Sequence, residues 1–285
     1  MGVGPMPGLP AVSLGFLCIA FSISSTNAQS CGSAERFDEC PKTPANFARV
    51  LEQARTGDPF SQFQAGLAYE TGAGTERNYI EAAHWYRLAA DHGTPGAQNN
   101  LGGLYSRGLG VQQDDREALK WYLRAASDGY PAAQNNVGFM YANGRGTPQD
   151  MNAAFNWYRK AAEKGYAAAE SNLGFLYASS SQPDIVAAIK WYQKSAKRGY
   201  APAEFNLGLI YLNDAGHKNM SKALQWLRSA AEHGLPEAEN QLGLLYEQGE
   251  GVPKDNNMAE KWYSVALKQG FAQARRNLEK LSLQQ

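Results

Sequence analysis

Ala97-Gln-Asn-Asn-Leu-Gly-Gly-Leu-Tyr105, Gly108-Leu-Gly110 and Ala118-Leu-Lys-Trp-Tyr-Leu-Arg-Ala-Ala126, closed by Gly129, decide the fold. In the last segment Ala118, Trp121, Tyr122, Ala125 and Ala126 fall at i, i+3, i+4, i+7 and i+8, the apolar stripe of an amphipathic helix. Gly129 supplies the left-handed residue that ends it. The first segment has the same helical spacing, and the glycine pair between them reads as a turn. The stretch is therefore a helix–turn–helix unit, here called helix A and helix B.

The unit recurs along the chain. Trp stands at 85, 121, 157, 191, 226 and 262, and eight residues after each comes Gly93, Gly129, Gly165, Gly199, Gly234 and Gly270. The period is 34 to 36 residues, within the range of helical repeats. Helix A carries an internal glycine in each copy, as at Gly102, Gly138, Gly174, Gly208 and Gly243. Such a glycine costs about 1 kcal/mol in helix propensity, so close approach of helix B is the physical reason expected for it. Gly72-Ala-Gly74, Gly108-Leu-Gly110, Gly144-Arg-Gly146 and Gly249-Glu-Gly251 form the turns, and Asp114, Asp150 and Asp255 stand where helix B starts. Two copies lose the glycine pair, at 179–184 and 214–218.

These spacings predict an all-α fold: an α/α superhelical solenoid of about six helix-turn-helix repeats of 34–36 residues with flanking cap helices. The repeats occupy 58–270, with a cap helix in 43–57 and another in 271–285. A chain of this kind buries its apolar faces only against neighbouring copies.

The pattern A-x-x-x-L-G-x-x-Y…G-x-G-V…D…A-x-x-W-Y-x-x-A-A-x-x-G resembles the Sel-one-like repeat, a relative of the tetratricopeptide repeat. The resemblance spans 58 to 283 and implies a scaffold or adaptor that binds protein. Exported bacterial members are similar to regulators of envelope signalling or secretion, or to host-protein binders. A eukaryotic branch serves endoplasmic-reticulum quality control, but this sequence has no C-terminal apolar span. Cysteine-rich members linked to penicillin binding or hydrolysis supply the alternative, a cell-envelope hydrolase of the β-lactamase-linked type. No repeat here contains a cysteine.

The first 28 residues stand apart. They contain no charged residue, and the apolar run 11–23 has the length of a signal-peptide core. Thr26-Asn27-Ala28 offers small residues for cleavage before Gln29, although no Lys or Arg precedes the run. Residues 1–28 are read as a signal peptide, and periplasmic or secreted export follows. Cys31 and Cys40 remain in 29–42, and an even pair in an exported chain suggests a disulfide, with two free thiols as the alternative.

Composition excludes some functions. Lys plus Arg and Asp plus Glu number 27 each, so there is no basic footprint for nucleic acid. No Ser-x-x-Lys or Gly-x-Ser-x-Gly occurs. His92 and His233 share a repeat position held elsewhere by Asp128, Lys164, Arg198 and Gln269, and so varied a position reads as solvated. The glycine turns follow the repeat period rather than a strand, which removes the phosphate-loop reading. The Trp-Tyr pairs fall on the core register. No catalytic residue, metal or cofactor is assigned.

The candidate binding residues lie on helix A, opposite its core positions at about 100° per residue. They are Phe63, Leu67, Asn135, Phe139, Phe175, Phe205, Leu209 and Leu244. Large apolar side chains there either grip a protein or extended peptide segment or are covered by neighbouring repeats. Asn100, Asn136, Asn172 and Asn206, with Gln64 and Gln241, form a second row. Such amides bond either an extended peptide or the backbone of neighbouring repeats.

Overall fold

The computed structural model describes residues 43–283, and the expected signal peptide and the Cys31–Cys40 disulfide lie outside the described residues. Within that range the chain is an α/α solenoid. A leading helix, α1 (Pro44–Arg55), is followed by six A–B pairs. These are α2 (Pro59–Thr71) with α3 (Tyr79–Asp91), α4 (Pro95–Arg107) with α5 (Asp115–Ser127), and α6 (Pro131–Asn143) with α7 (Met151–Glu163). Then come α8 (Ala167–Ser179) with α9 (Ile185–Ala196), α10 (Ala201–Asn213) with α11 (Met220–Glu232), and α12 (Pro236–Gln248) with α13 (Asn256–Lys268). Helix α14 (Ala272–Ser282) follows the last pair. The chain divides within α8 into two compact units, one ending at Leu176 and the other beginning at Tyr177.

The helix ends follow from local chemistry. The Asp114 carboxylate accepts from the backbone N–H groups of Arg116 and Glu117 at the start of α5, and Asp150 and Asp255 do the same for α7 and α13. The N–H of each cap is tied back to the tyrosine near the end of helix A, as Asp114 to the Tyr105 carbonyl at 3.0 Å and Asp150 to Tyr141 at 2.9 Å. One cap thus fixes both the start of helix B and the length of the turn.

Tyr and Trp of each pair do different work. Tyr86, Tyr122, Tyr158, Tyr192 and Tyr263 are fully buried, with Leu227 at the same position in α11. For Tyr86, Tyr122, Tyr158 and Tyr263 the partner is the helix-A glycine. A Cβ on Gly138 would lie 2.7 Å from Tyr158 Cδ1, and one on Gly66 would lie 2.5 Å from Tyr86 Cδ1. Those distances are far below contact, so the glycine lets helix B press its aromatic ring against the backbone of helix A. Two of the tryptophans join one repeat to the one before. Trp85 packs with Val50 and Ala54 of α1 and Ala65 of α2, and Trp121 packs with Ala82, Tyr86 and Leu101.

The core placement expected for every tryptophan needs correction. Trp85 and Trp121 are buried, but Trp157, Trp191, Trp226 and Trp262 are half-buried. All six share one helical angle at the edge of the apolar stripe, so exposure of the outer ring faces depends on what lies beside them. Cations cover some of those faces: Lys160 Nζ sits 4.1 Å from the Trp157 ring centre and Lys194 Nζ 4.0 Å from that of Trp191.

The second glycine of each glycine pair is a point of close approach. Gly110 has φ 67°, and a side chain there would run into the Tyr79 carbonyl at the start of α3. Gly146 meets the Asp115 carbonyl at the start of α5 in the same way. The turn of one repeat is thereby seated on the first residue of the preceding helix B.

Candidate binding face

The helix-A positions proposed as an open aromatic patch are mostly covered. Phe63 is 4% exposed, Phe139 8%, Phe205 6% and Leu209 6%, and Asn135 is buried with them. Leu67, Phe175 and Leu244 are half-buried. An exposed patch built on Phe139, Phe205 and Leu209 is therefore not what the structure presents. Phe63 shows the reason: its ring lies against the start of α4, where a Cβ on Gly96 would come within 3.2 Å of Cε2 and Cζ. Its ring centre is 5.9 Å from that of Tyr86. The Arg145 guanidinium sits 5.9 Å from the Phe139 ring centre. Helix A in a stack has a neighbour on each side, so a position opposite helix B can face the next helix A rather than water.

At Asn100, Asn136 and Asn172 the amide row bonds to side chains rather than to backbone, which was one expectation. Asn136 Nδ2 donates to Asn99 Oδ1 at 2.9 Å, and Asn172 Nδ2 donates to Asn135 Oδ1 at 2.9 Å. Near the C-terminus Asn277 Nδ2 donates to Asn240 Oδ1 at 2.8 Å. Each rung joins adjacent A helices. Asn135 thus has a definite task, as the acceptor of a rung.

In the first unit the ladder continues into a larger polar chain that sequence reasoning missed. Asn99 Nδ2 donates to Asn100 Oδ1 at 3.2 Å, and Asn100 Nδ2 donates to the Tyr86 hydroxyl at 3.1 Å. That hydroxyl donates to Glu70 Oε2 at 2.7 Å, and Arg107 Nη2 donates to Glu70 Oε1 at 3.0 Å. Six side chains from α2, α3, α4 and α6 are linked in sequence. Burial pushes the Tyr86 hydroxyl well above its ordinary range, and the Glu70 carboxylate adds to the shift. Asn99, Asn100 and Asn136 remain half-buried, and an amide has more hydrogen-bonding capacity than one rung uses. Glu70 and Arg107 lie 37 residues apart, about one repeat, which was the only signal of their pairing in the sequence.

The residue after the first core position of helix A was also missed. Gln62, Gln98 and Gln134 are buried, and their Nε2 atoms donate to the carbonyls of Ala54, Ala90 and Ala126 at the end of the preceding helix. Glu204 and Glu239 hold the same position in later repeats and are also buried. Glu204 accepts from the Ser229 hydroxyl at 2.9 Å and lies 2.8 Å from His233 Nδ1. His233 is exposed, as expected, at 47%, yet one ring nitrogen is bound to a carboxylate only 3% exposed. His92 is exposed, as expected. Gln269 Nε2 donates to Glu239 at 2.8 Å. Burial pushes the Glu239 carboxyl up, and the Gln269 amide opposes that shift.

Among the described residues, no group of three His, Cys, Asp or Glu side chains is placed to hold a metal ion. No helix among them is long and apolar enough to cross a membrane.

A family model described as Sel1 repeat matches six consecutive segments, 59–94, 95–130, 131–166, 167–200, 201–235 and 236–271. Among solved structures, a Sel1 repeat protein from Oxalobacter formigenes is 28% identical, with a TM-score of 0.74, over 84% of this chain and 97% of that one. The protein c5321, a protective antigen of uropathogenic Escherichia coli with the SLR fold, is 28% identical, with a TM-score of 0.54, over 84% of this chain and 60% of that one. The immunity protein Pa5087 from Pseudomonas aeruginosa shares the fold at 22% identity and a TM-score of 0.52, over 81% of this chain and 84% of that one. No curated protein is a significant match.

Proposed function

The chain belongs to the Sel1 repeat family, and from that premise we propose that it is an exported scaffold that holds an extended segment of another protein along the A helices of its first unit. Sel1 repeat proteins generally mediate protein–protein interaction and are typically non-catalytic scaffolds. The observation that carries the reading is the polar chain from Arg107 through Glu70, Tyr86, Asn100 and Asn99 to Asn136. It fixes amides and charged groups at the repeat spacing while leaving Asn99, Asn100 and Asn136 half-buried. An extended peptide needs donors and acceptors held at intervals, and preorganised side chains reduce the entropy lost on binding.

Export is part of the proposal. The uncharged residues 1–28 with their apolar run support it. Regulation of envelope signalling or secretion, or binding of a host protein, is the role this assigns.

Photo-crosslinking from position 67, half-buried on α2 at one of the candidate positions, tests the binding face. The expected result is a discrete adduct that disappears in an Asn99→Ala/Asn136→Ala variant of unchanged circular dichroism. Adducts that form equally from exposed Lys120 on helix B would contradict it. N-terminal sequencing of the exported form, expected to begin at Gln29, tests the leader.

A further inference from the structure

The two repeats without a glycine pair break the pattern, and in the second of them the break opens a cavity. In the α10–α11 turn, Asp214-Ala-Gly-His-Lys218 replaces the glycine pair. Where Gly110 and Gly146 are pressed on the preceding helix B, a Cβ on Gly216 would meet only Asp214 Oδ1, at 3.4 Å. The turn stands off α9, and a cavity of about 480 Å³ lies between them.

Its lining combines three lysines with apolar side chains of α9. Lys190 of α9, Lys218 of the turn and Lys222 of α11 line it. Among the described residues none of the three has an ion-pair partner, and Lys222 Nζ lies 5.1 Å from the Tyr211 ring centre. Val186 and Ile189 are those apolar side chains, and Val186 is one of the few large apolar side chains left exposed. The turn has one carboxylate, Asp214, and it is already engaged: it lies 2.7 Å from His217 Nδ1 and accepts from the Gly216 N–H at 3.1 Å.

Lys222 has one contact within the fold, its Nζ over the Tyr211 ring, but its place in the helix is unusual. It sits in the first turn of α11, which has no acidic residue. Helices α3 and α5 have Glu81 and Glu117 at that place, as the helix dipole favours. A lysine there opposes the dipole, and an anion beside it offsets that cost.

We propose that this cavity binds a small multivalent oxyanion, a phosphate or diphosphate ester, on Lys190, Lys218 and Lys222, with its organic part against Val186 and Ile189. Three lysines supply point charges suited to phosphate. A single carboxylate would leave most of that charge unmatched. The start of α11 adds backbone N–H groups and its dipole. The site lies wholly in the second unit and does not depend on the peptide-binding reading.

Nuclear magnetic resonance titration of the full chain with inorganic phosphate, pyrophosphate and phenyl phosphate, at constant ionic strength, tests the proposal. The expected result is saturable shifts confined to the amides of 186–193 and 214–223. Pyrophosphate and phenyl phosphate should each bind more tightly than phosphate. A Lys218→Gln/Lys222→Gln variant should weaken binding by about tenfold or more, since a charged hydrogen bond contributes about 1.5–3 kcal/mol. A Lys160→Gln/Lys194→Gln variant, which removes equally exposed lysines outside the cavity, should leave binding unchanged. Shifts that fail to saturate, that spread over lysines elsewhere, or that survive in the Lys218/Lys222 variant would overturn it.

Discussion

Replacing Gly138 with alanine sets helix propensity against packing. Propensity alone says that Gly138→Ala stabilises α6 by about 1 kcal/mol, because glycine is the poorer helix former. The structure says the opposite. The new Cβ would stand 2.7 Å from Tyr158 Cδ1, 2.8 Å from Cε1 and 3.1 Å from Cγ. Carbon atoms rest at about 3.5–4.0 Å, so the ring must retreat by roughly 0.7–1 Å. Tyr158 is 1% exposed, and its ring cannot move outward without disturbing α7. Overpacking of this kind costs typically 1–3 kcal/mol. After the propensity gain the net effect is a destabilisation of up to about 2 kcal/mol, or a fall in Tm of several degrees at roughly 2–4 °C per kcal/mol. Thermal and urea unfolding followed by circular dichroism measures it. In a Tyr158→Ala background, where the ring is gone, adding Gly138→Ala should no longer cost stability, since the clash is with that ring. A single Gly138→Ala variant that melts higher than the parent would refute the close-approach explanation of the helix-A glycines.

Trp121→Ala should cost about 3–5 kcal/mol by removing a buried ring at a repeat joint, and Trp157→Ala should cost less, because that ring is half-buried; chemical denaturation gives the ranking. Asn136→Ala breaks one rung to Asn99 and should lower stability by about 0.5–1.5 kcal/mol, with no change in helix content. Glu239 is raised by burial, so as pH climbs above 4.5 the unfolded chain loses that proton before the folded one and folding stability falls through that window. Glu239→Gln, the residue type of Gln62, Gln98 and Gln134 at that position, should remove this fall and be neutral to stabilising at pH 7; melting curves from pH 4 to 7 read it.

The repeat period and the class of fold were legible in the sequence because they depend on local spacing. Helix B is fixed by Trp and Tyr at i+3 and i+4, its end by Gly129 and its start by Asp114. Helical angle also pointed to the buried tyrosines and to the reason for the internal glycines, since both are consequences of one helix meeting the next in chain order. The six tryptophans were legible as helix residues but not as two classes, because exposure at the edge of a stripe depends on what the adjacent repeat puts there.

What only the tertiary structure decided is which side of helix A faces water. A helical wheel gives angles about one axis. It does not say that a second helix A stands beside the first, and so it left open whether Phe63, Phe139 and Phe205 are covered, as they are. The polar chain of Glu70, Arg107 and Asn99 was hidden for the same reason: its links cross 16 to 37 residues, and no local pattern joins them. The cavity by Lys218 likewise needed the distance between a turn and a helix start. Sequence specifies what repeats, through short-range sterics and hydrogen bonding. How neighbouring copies cover one another is a matter of packing, and there the local pattern is silent.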